Sequence, residues 1–340
     1  MKAFVLLDKL KAELADRPEP KIDSPESVIV GISAVSICGS DSQIYSGNVE
    51  TKKLPIIMGH EAGGIIEEVG ANVRGLDETT KVLVDPNIVD GTCDLCAKGL
   101  TNLCRNGGLM GRDADGVFAE RISLNANRVY KLPSNIDDKV IPLIQPLSTV
   151  VRAMSQLVVS PRDVILVIGV GATGLLFARL CKLRGATVVG TRRTWLDHML
   201  SISKEFGVDH PVDSSRQDLA REVEGITGGR GADAVILTAN APGLVQACLD
   251  LVRPGGSILQ FFNFHGIASY DAYELYKKEI RLFATRSSVA SDFLSSIDLV
   301  ASGKIRLEKM ITGTYAFDSA ASAFRANEDR KQNLKVVIRP

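Results

Sequence analysis

The sequence has no excess charge of either sign: 40 lysine and arginine side chains meet 40 aspartates and glutamates, a formal net charge of zero over 340 residues. Polyanions and anionic membranes are held by basic excess, so neither nucleic acid nor a lipid surface is an expected partner. Long apolar runs are also missing. The apolar start of the chain meets Asp8 and Lys9 too soon for a secretory leader, and a cytoplasmic location is expected. Later apolar stretches break at glycine, proline or asparagine before the roughly 20 apolar residues a membrane helix needs. Cysteine is scarce, with six in the chain, too few for a disulfide scaffold. Three of them, Cys93, Cys96 and Cys104, crowd into one segment, which points to metal in a reducing compartment. Internal repeats and low-complexity segments are absent.

What is present suits two hydrophobic cores, since 45% of the residues are hydrophobic and single cores stop growing below this length. The first third carries short β-type runs, Ser27 to Ile32, Gly64 to Val69 and Lys81 to Val84, punctuated by glycine and proline. From about Ser148 the texture changes to apolar strands alternating with helical patterns: Val164 to Ile168, Ala172 to Arg184, Ala186 to Gly190 and Trp195 to Phe206. The series continues through the strand Ala234 to Leu237, a helix from Leu244 to Val252 ended by Pro254-Gly255-Gly256, and the strand Ser257 to Phe262. Such alternation implies βαβ units and a parallel sheet. The helical run Ser291 to Ala301 and the strand Lys335 to Ile338 do not extend that pattern and are free to rejoin the first domain.

Gly169-Val170-Gly171-Ala172-Thr173-Gly174 is a GxGxxG placed between the apolar strand Val164 to Ile168 and a helix. In that context the first glycine makes the tight turn, the second admits the pyrophosphate to the backbone, and the third packs the helix against the strand. About 20 residues later an NAD site offers Asp or Glu to the ribose hydroxyls. This chain offers Thr191-Arg192-Arg193-Thr194, two guanidinium groups suited to a 2′-phosphate, so NADP(H) is expected in preference to NAD(H).

Cys38-Gly39-Ser40-Asp41 follows one β-type run, and Gly59-His60-Glu61 follows Pro55 to Met58, so a thiolate and an imidazole come from two separate loops. Both are good zinc ligands. With Ile37-Cys38-Gly39-Ser40-Asp41, Gly59-His60-Glu61-Ala62-Gly63, the cysteine segment, Gly116-Val117-Phe118-Ala119-Glu120, Gln145-Pro146-Leu147, the glycine loop and Lys335-Val336-Val337-Ile338 in this order, the chain resembles the zinc-dependent medium-chain alcohol dehydrogenase family end to end. The likeness is greatest to its polyol (sorbitol-type), threonine and glucose dehydrogenase branches.

The resemblance implies an α/β protein: a GroES-like β-rich catalytic domain, residues 1–149 and 285–340, and a Rossmann domain with a doubly wound parallel sheet, residues 150–284, with the active site in the cleft. It implies a catalytic zinc held by Cys38, His60 and either Glu61 or Gln145, where polyol and threonine branches carry glutamate at the latter position. It also implies Ser40 as proton relay, Asp41 as orienter of the metal loop, and Arg286 near cofactor and substrate. Gln43 stands where an imidazole relay is usual. Tyr45 and Phe118 suit either pocket walls or ordinary packing. The family's structural-zinc spacing, read back from Cys104, Cys96 and Cys93, puts the first ligand at Asp90, a harder donor than cysteine. A thioredoxin-like reading of Cys93 and Cys96 is disfavoured because the pair falls in a loop rich in polar residues and glycine. Cys181 and Cys248 read as core residues, and His198, His210 and His265 lack ligand spacing.

The expected activity is hydride transfer between a secondary alcohol of a polyol, cyclitol or sugar and NADP(H), by a homo-oligomer, dimer or tetramer. Two alternatives stand beside it: an aldose (glucose-type) 1-dehydrogenase, favoured by Gln145, and a catalytically silent dinucleotide-binding protein.

Overall fold

The segment Ser27–Ser36 is buried along almost its whole length. Successive strand residues point to opposite faces, so a run of this kind must be covered on both. It accordingly lies inside a sheet, pairing antiparallel with Ala62–Val69, Arg121–Asn125 and Lys335–Arg339. The seven-stranded sheet runs Val129–Lys131, Lys81–Val84, Ala62–Val69, Ser27–Ser36, Lys335–Arg339, Ile311–Ala316, with Arg121–Asn125 attached to Ser27–Ser36. A three-stranded sheet of Lys11–Asp16, Lys2–Asp8 and Ile56–Ile57 accompanies it. This computed structural model describes residues 1–239, 241, 243–262 and 267–340. By its contacts the chain divides into two compact units, Met1–Ser148 with Ser287–Pro340, and Thr149–Arg286.

The core of the first unit gathers around Phe324 on the helix Ala320–Glu328. Its ring stacks on Phe4 at 5.1 Å, meets Phe118 edge-on at 5.8 Å and approaches Tyr45 at 5.9 Å. Tyr45 also donates its hydroxyl to the Leu10 carbonyl at 2.9 Å, and Phe118 is fully buried. Both residues thus make the packing contacts that were one of their two sequence readings.

In the second unit Val164–Ile168 is buried at every position and is paired on both sides by parallel strands. The order is His210–Asp213, Thr187–Arg192, Val164–Ile168, Ala232–Leu237, Val252–Gln260, Arg281–Ala284, which is the doubly wound order of a Rossmann sheet. Crossover helices include Ala172–Leu183, Asp197–Glu205, Leu219–Thr227 and Leu244–Leu251. Leu219–Thr227 shows how such a helix is bounded: Asp218 accepts from the Ala220 and Arg221 N–H groups, and Gly228 ends it in the left-handed region at φ 60°.

Several elements differ from the sequence reading or lie outside it. Pro254-Gly255-Gly256 lies inside the strand Val252–Gln260 instead of breaking the chain after a helix; the register against Ala232–Leu237 shifts there, with Arg253 to Gly256 set against Asp233 in a bulge. The helix Ile141–Met154 forms despite Pro146 in its interior. The strand Ile311–Ala316, ITGTYA, has too little apolar character to stand out and is recruited by parallel pairing with Lys335–Arg339. Among the described residues no helix is long and apolar enough to cross a membrane.

Phe324→Ala removes the ring that three other aromatic side chains contact, and is expected to cost about 3–5 kcal/mol in urea unfolding. Tyr273→Ala, where 66% of the residue is exposed, should change stability by less than about 0.5 kcal/mol.

Candidate functional site

At the end of Ser27–Ser36 the Ile37 N–H donates to the Val336 carbonyl at 3.1 Å, and Cys38 then caps the helix Gly39–Tyr45 in an extended conformation. Asp41, fully buried in the first turn of that helix, reaches back. Its Oδ2 accepts from the Cys38 N–H at 2.8 Å, and its Oδ1 faces His60 Nδ1 at 2.9 Å. Paired with a carboxylate, Nδ1 carries the proton, which leaves the Nε2 lone pair as the donor. Ser40 Oγ lies 3.3 Å from Nε2.

His60 is fixed from the other side by a close backbone crossing. Gly59 has φ +89°, and a Cβ there would come within 2.3 Å of the Phe118 ring. A Cβ on Gly116 would come within 2.3 Å of the Gly59 carbonyl oxygen, and one on Gly111 within 2.6 Å. The Val117 and Phe118 N–H groups bond the Gly59 and Met58 carbonyls at 3.1 and 2.9 Å. Burial works against a charged His60 ring, but Asp41 and Cys38 raise its pKa well above the usual value. A metal replaces that proton on binding.

Glu61 is brought to the same centre but is already engaged. Lys335 Nζ donates to Oε1 at 2.8 Å and Oε2 at 2.5 Å, and Ser36 Oγ donates to Oε2. Burial lowers the Lys335 pKa, yet Glu61 and Cys38 together raise it. In the sequence Lys335 reads only as the lysine that opens an apolar closing strand, with nothing to mark its place at this site. Gln145 is buried on Ile141–Met154 directly before Pro146. The donor atoms of Cys38, His60 and Glu61 lie within 4.8 Å of one another. The thiol and the imidazole, joined by one further oxygen donor, suit one zinc ion, with bonds of about 2.0–2.3 Å.

The second cluster, Asp90, Cys93, Cys96 and Cys104, also has its donor atoms within 4.8 Å. Asp90 Oδ1 accepts from the Thr92 N–H at 2.9 Å, the Cys93 N–H at 3.1 Å and Cys96 Sγ at 3.4 Å, while Oδ2 accepts from Asn106 at 2.7 Å. The Asp90 N–H points to Cys104 Sγ at 3.3 Å. Backbone bonds from Thr92 and Cys93 hold the Asp90 carboxyl well below the usual carboxylate range. Backbone N–H groups of Arg105 and Cys96 lower the Cys93 thiol. Cys93 caps a one-turn helix, Asp94–Ala97, so the expectation that the CxxC pair sits in a loop is corrected. Four convergent donors, one of them Cys104 from beyond that helix, fit a single ion better than a redox pair.

In the second unit Gly169 has φ +102°, and a Cβ on Gly174 would lie 2.5 Å from the Gly169 carbonyl oxygen. Gly171, which caps Ala172–Leu183 just ahead of Ala172 and Thr173, has open space at its Cβ position. These are the turn, the close packing and the approach surface that a pyrophosphate needs. The Gly169 and Val170 N–H groups bond the Thr191 carbonyl at 3.1 and 3.0 Å, tying the loop to the end of Thr187–Arg192. There Arg192 is half-buried with Nη1 3.4 Å from the Val170 carbonyl, and Arg193 is exposed. Arg286 is exposed just beyond Arg281–Ala284. Burial pushes the Cys181 and Cys248 thiols up to about 12, as suits core residues. His198 and His210 are exposed, and His265 lies outside the described residues.

Residues 24–134 match the model of the alcohol dehydrogenase GroES-like domain, and residues 172–302 match that of the zinc-binding dehydrogenase domain. Relatives include D-arabitol-phosphate dehydrogenase of Enterococcus avium, 31% identical over 92% of this chain and 90% of that protein. L-threonine 3-dehydrogenase of Pyrococcus furiosus is 33% identical over 92% and 91%, and sorbitol dehydrogenase of Bacillus subtilis 29% over 100% and 97%. An alcohol dehydrogenase of Escherichia coli CFT073, described as short-chain and complexed with NADH, superposes with a TM-score of 0.92 at 27% identity, covering 100% of this chain and 99% of that one. A protein of Sinorhizobium meliloti 1021 described as a zinc-binding dehydrogenase, bound to NADP, gives 0.91 at 27% over the same shares.

Asp41→Ala frees the His60 ring and the Cys38 loop together, and should weaken zinc binding at Cys38 and His60 by about 10- to 100-fold in chelator competition. In the second cluster, Asp90→Cys exchanges a hard donor for a soft one. The variant should hold zinc longer than the parent against the same chelator.

Proposed function

Since the chain belongs to the zinc-type medium-chain alcohol dehydrogenase family, we propose that it moves a hydride between a secondary alcohol of a polyol, cyclitol or sugar and NADP(H). The observation that carries this reading is the engagement of His60 Nδ1 by Asp41, which leaves Nε2 beside the Cys38 thiol as a ready pair of zinc donors. The protein is an oxidoreductase of the alcohol and polyol dehydrogenase type that uses zinc and a nicotinamide dinucleotide.

Cys38 and His60 would hold the catalytic zinc, and Gln145 would supply the third donor, because the Glu61 carboxylate is taken up by Lys335 and Ser36. A zinc ion held there would supply Lewis acidity to the substrate oxygen and ease loss of the hydroxyl proton. Ser40, half-buried with its Oγ 3.3 Å from His60 Nε2, would accept that proton and pass it outward. Asp41 keeps the ring in one tautomer throughout. Asp90, Cys93, Cys96 and Cys104 would hold a structural zinc. Gly171 would admit the pyrophosphate, with Gly169 making the turn and Gly174 packing the helix, and Arg193, exposed beside the half-buried Arg192, would offer a 2′-phosphate its charge.

Gln145 supports a second reading, an aldose 1-dehydrogenase, in which the product would be a lactone. A silent dinucleotide-binding protein would not need the convergence of Cys38, His60 and Asp41.

The test is reduced-nicotinamide formation by zinc-replete protein over polyols, cyclitols, aldoses, polyol phosphates and threonine, with NADP and NAD in parallel. Turnover of a polyol with NADP is expected. Lactone from an aldose would install the second reading, and a clear preference for NAD would overturn the arginine argument. Arg193→Asp should lower kcat/KM for NADP by about tenfold or more, as befits a charge-assisted bond worth about 1.5–3 kcal/mol, and leave NAD turnover no worse.

A further inference from the structure

Three segments of the first unit meet in a polar network that the proposed chemistry leaves unused. Ser148, fully buried one turn beyond Gln145, donates its hydroxyl to the Gln145 carbonyl at 2.7 Å and lies 3.0 Å from the Ser288 hydroxyl. Ser148 has one proton to give, so Ser288 donates to it. Beside Ser288, the Ser287 hydroxyl donates to Asn87 Oδ1, and Asn87 Nδ2 lies 3.5 Å from the Ser288 carbonyl. The same Nδ2 donates to Asp85 Oδ1 at 2.7 Å, and the Asp85 carbonyl accepts from Arg128 at 2.8 Å.

Asn87, Ser148 and Ser288 are each at least nine-tenths buried. Buried polar groups cost stability unless every member is satisfied, and what a satisfied network adds is one defined geometry. The element it grips needs that help. Pro146 has no N–H, so the turn carrying Gln145 lacks one intrahelical bond, to the Pro142 carbonyl. The segment on the far side is constrained as well: Ser287, a non-glycine residue, sits at φ +56° with its hydroxyl bonded to Asn87.

We propose that Asn87, Ser288 and Ser148 form a positioning network that sets the Gln145 turn of the helix Ile141–Met154, and through it the oxygen donor offered to the metal of Cys38 and His60. The inference rests on Gln145 being that donor. Asn87 and the two serines are positioning residues: they touch neither metal nor substrate, and act through the Gln145 backbone.

The test uses full-length protein loaded with cobalt(II), whose visible d–d bands report donor geometry, with the cysteine cluster's contribution subtracted using Cys38→Ser. Ser148→Ala and Ser288→Ala should each shift the bands and lower turnover by about tenfold or more, with KM for the dinucleotide unchanged. In a Gln145→Ala background, adding Ser148→Ala should shift the bands no further. Bands that move in Gln145→Ala but stay at parental positions in both serine variants would overturn the network and leave the ligand assignment standing. Bands unmoved in Gln145→Ala would overturn the ligand assignment, and the network's role with it. A further shift on adding Ser148→Ala to Gln145→Ala would also overturn it, since Ser148 would then act by another route.

Discussion

A carboxylate with no solvent exposure is costly unless both oxygens are used. Asp41 uses one on the Cys38 backbone and the other on the His60 ring, at 2.8 and 2.9 Å. The Cys38 bond sets how the chain leaves the strand and starts the helix. The His60 bond sets the tautomer and the ring plane. A soft donor and an imidazole from loops about twenty residues apart therefore share one anchor, and the thiol–imidazole pair depends on it.

That anchor works only because the sheet has already brought the two loops together. Ser27–Ser36 and Ala62–Val69 pair antiparallel with Val35 opposite Ala62, so Cys38 and His60 emerge beside each other at one end of the pair. A slip of one residue would turn every side chain of a strand to its other face. Lys335–Arg339 pairs with the same hub strand, Val337 opposite Ser36, and so delivers the buried Lys335 to Glu61. The glycines at 59, 111 and 116 let three backbone stretches cross at distances no side chain would permit.

The sequence displayed the donors but not their supports. Cys38, His60, the cysteine segment and the glycine loop announce themselves because metal and phosphate sites demand particular residue types at particular spacings. The strand Val164–Ile168 was readable to the residue because a strand covered on both faces is a continuous apolar run. Ile311–Ala316 and the bulge at Arg253 to Gly256 were not, since each depends on a partner strand remote in sequence. Lys335 was hidden for a related reason. A lysine reads as a surface residue, and only the fold reveals that a buried carboxylate faces it. Tyr45 and Phe118 were open both ways: nearness in sequence to metal-loop residues suggested a pocket, their aromatic rings a core, and the fold turns both rings to Phe324.

The charge around the first centre favours an uncharged third donor, the part proposed for Gln145. A metal-binding Cys38 is a thiolate, and with ionised Asp41 and Glu61 it brings three negative charges into a largely buried space. Lys335 returns one positive charge, and a divalent ion returns two, so the set is neutral when the third donor is uncharged. A glutamate at position 145 would leave one buried negative charge to be met elsewhere, whereas glutamine keeps the balance. An amide is a weaker donor than a carboxylate and holds its place less by attraction to the ion. With Gln145 as the proposed donor, its geometry would come from the protein, and the hydroxyl contact behind it would matter more than behind a charged ligand.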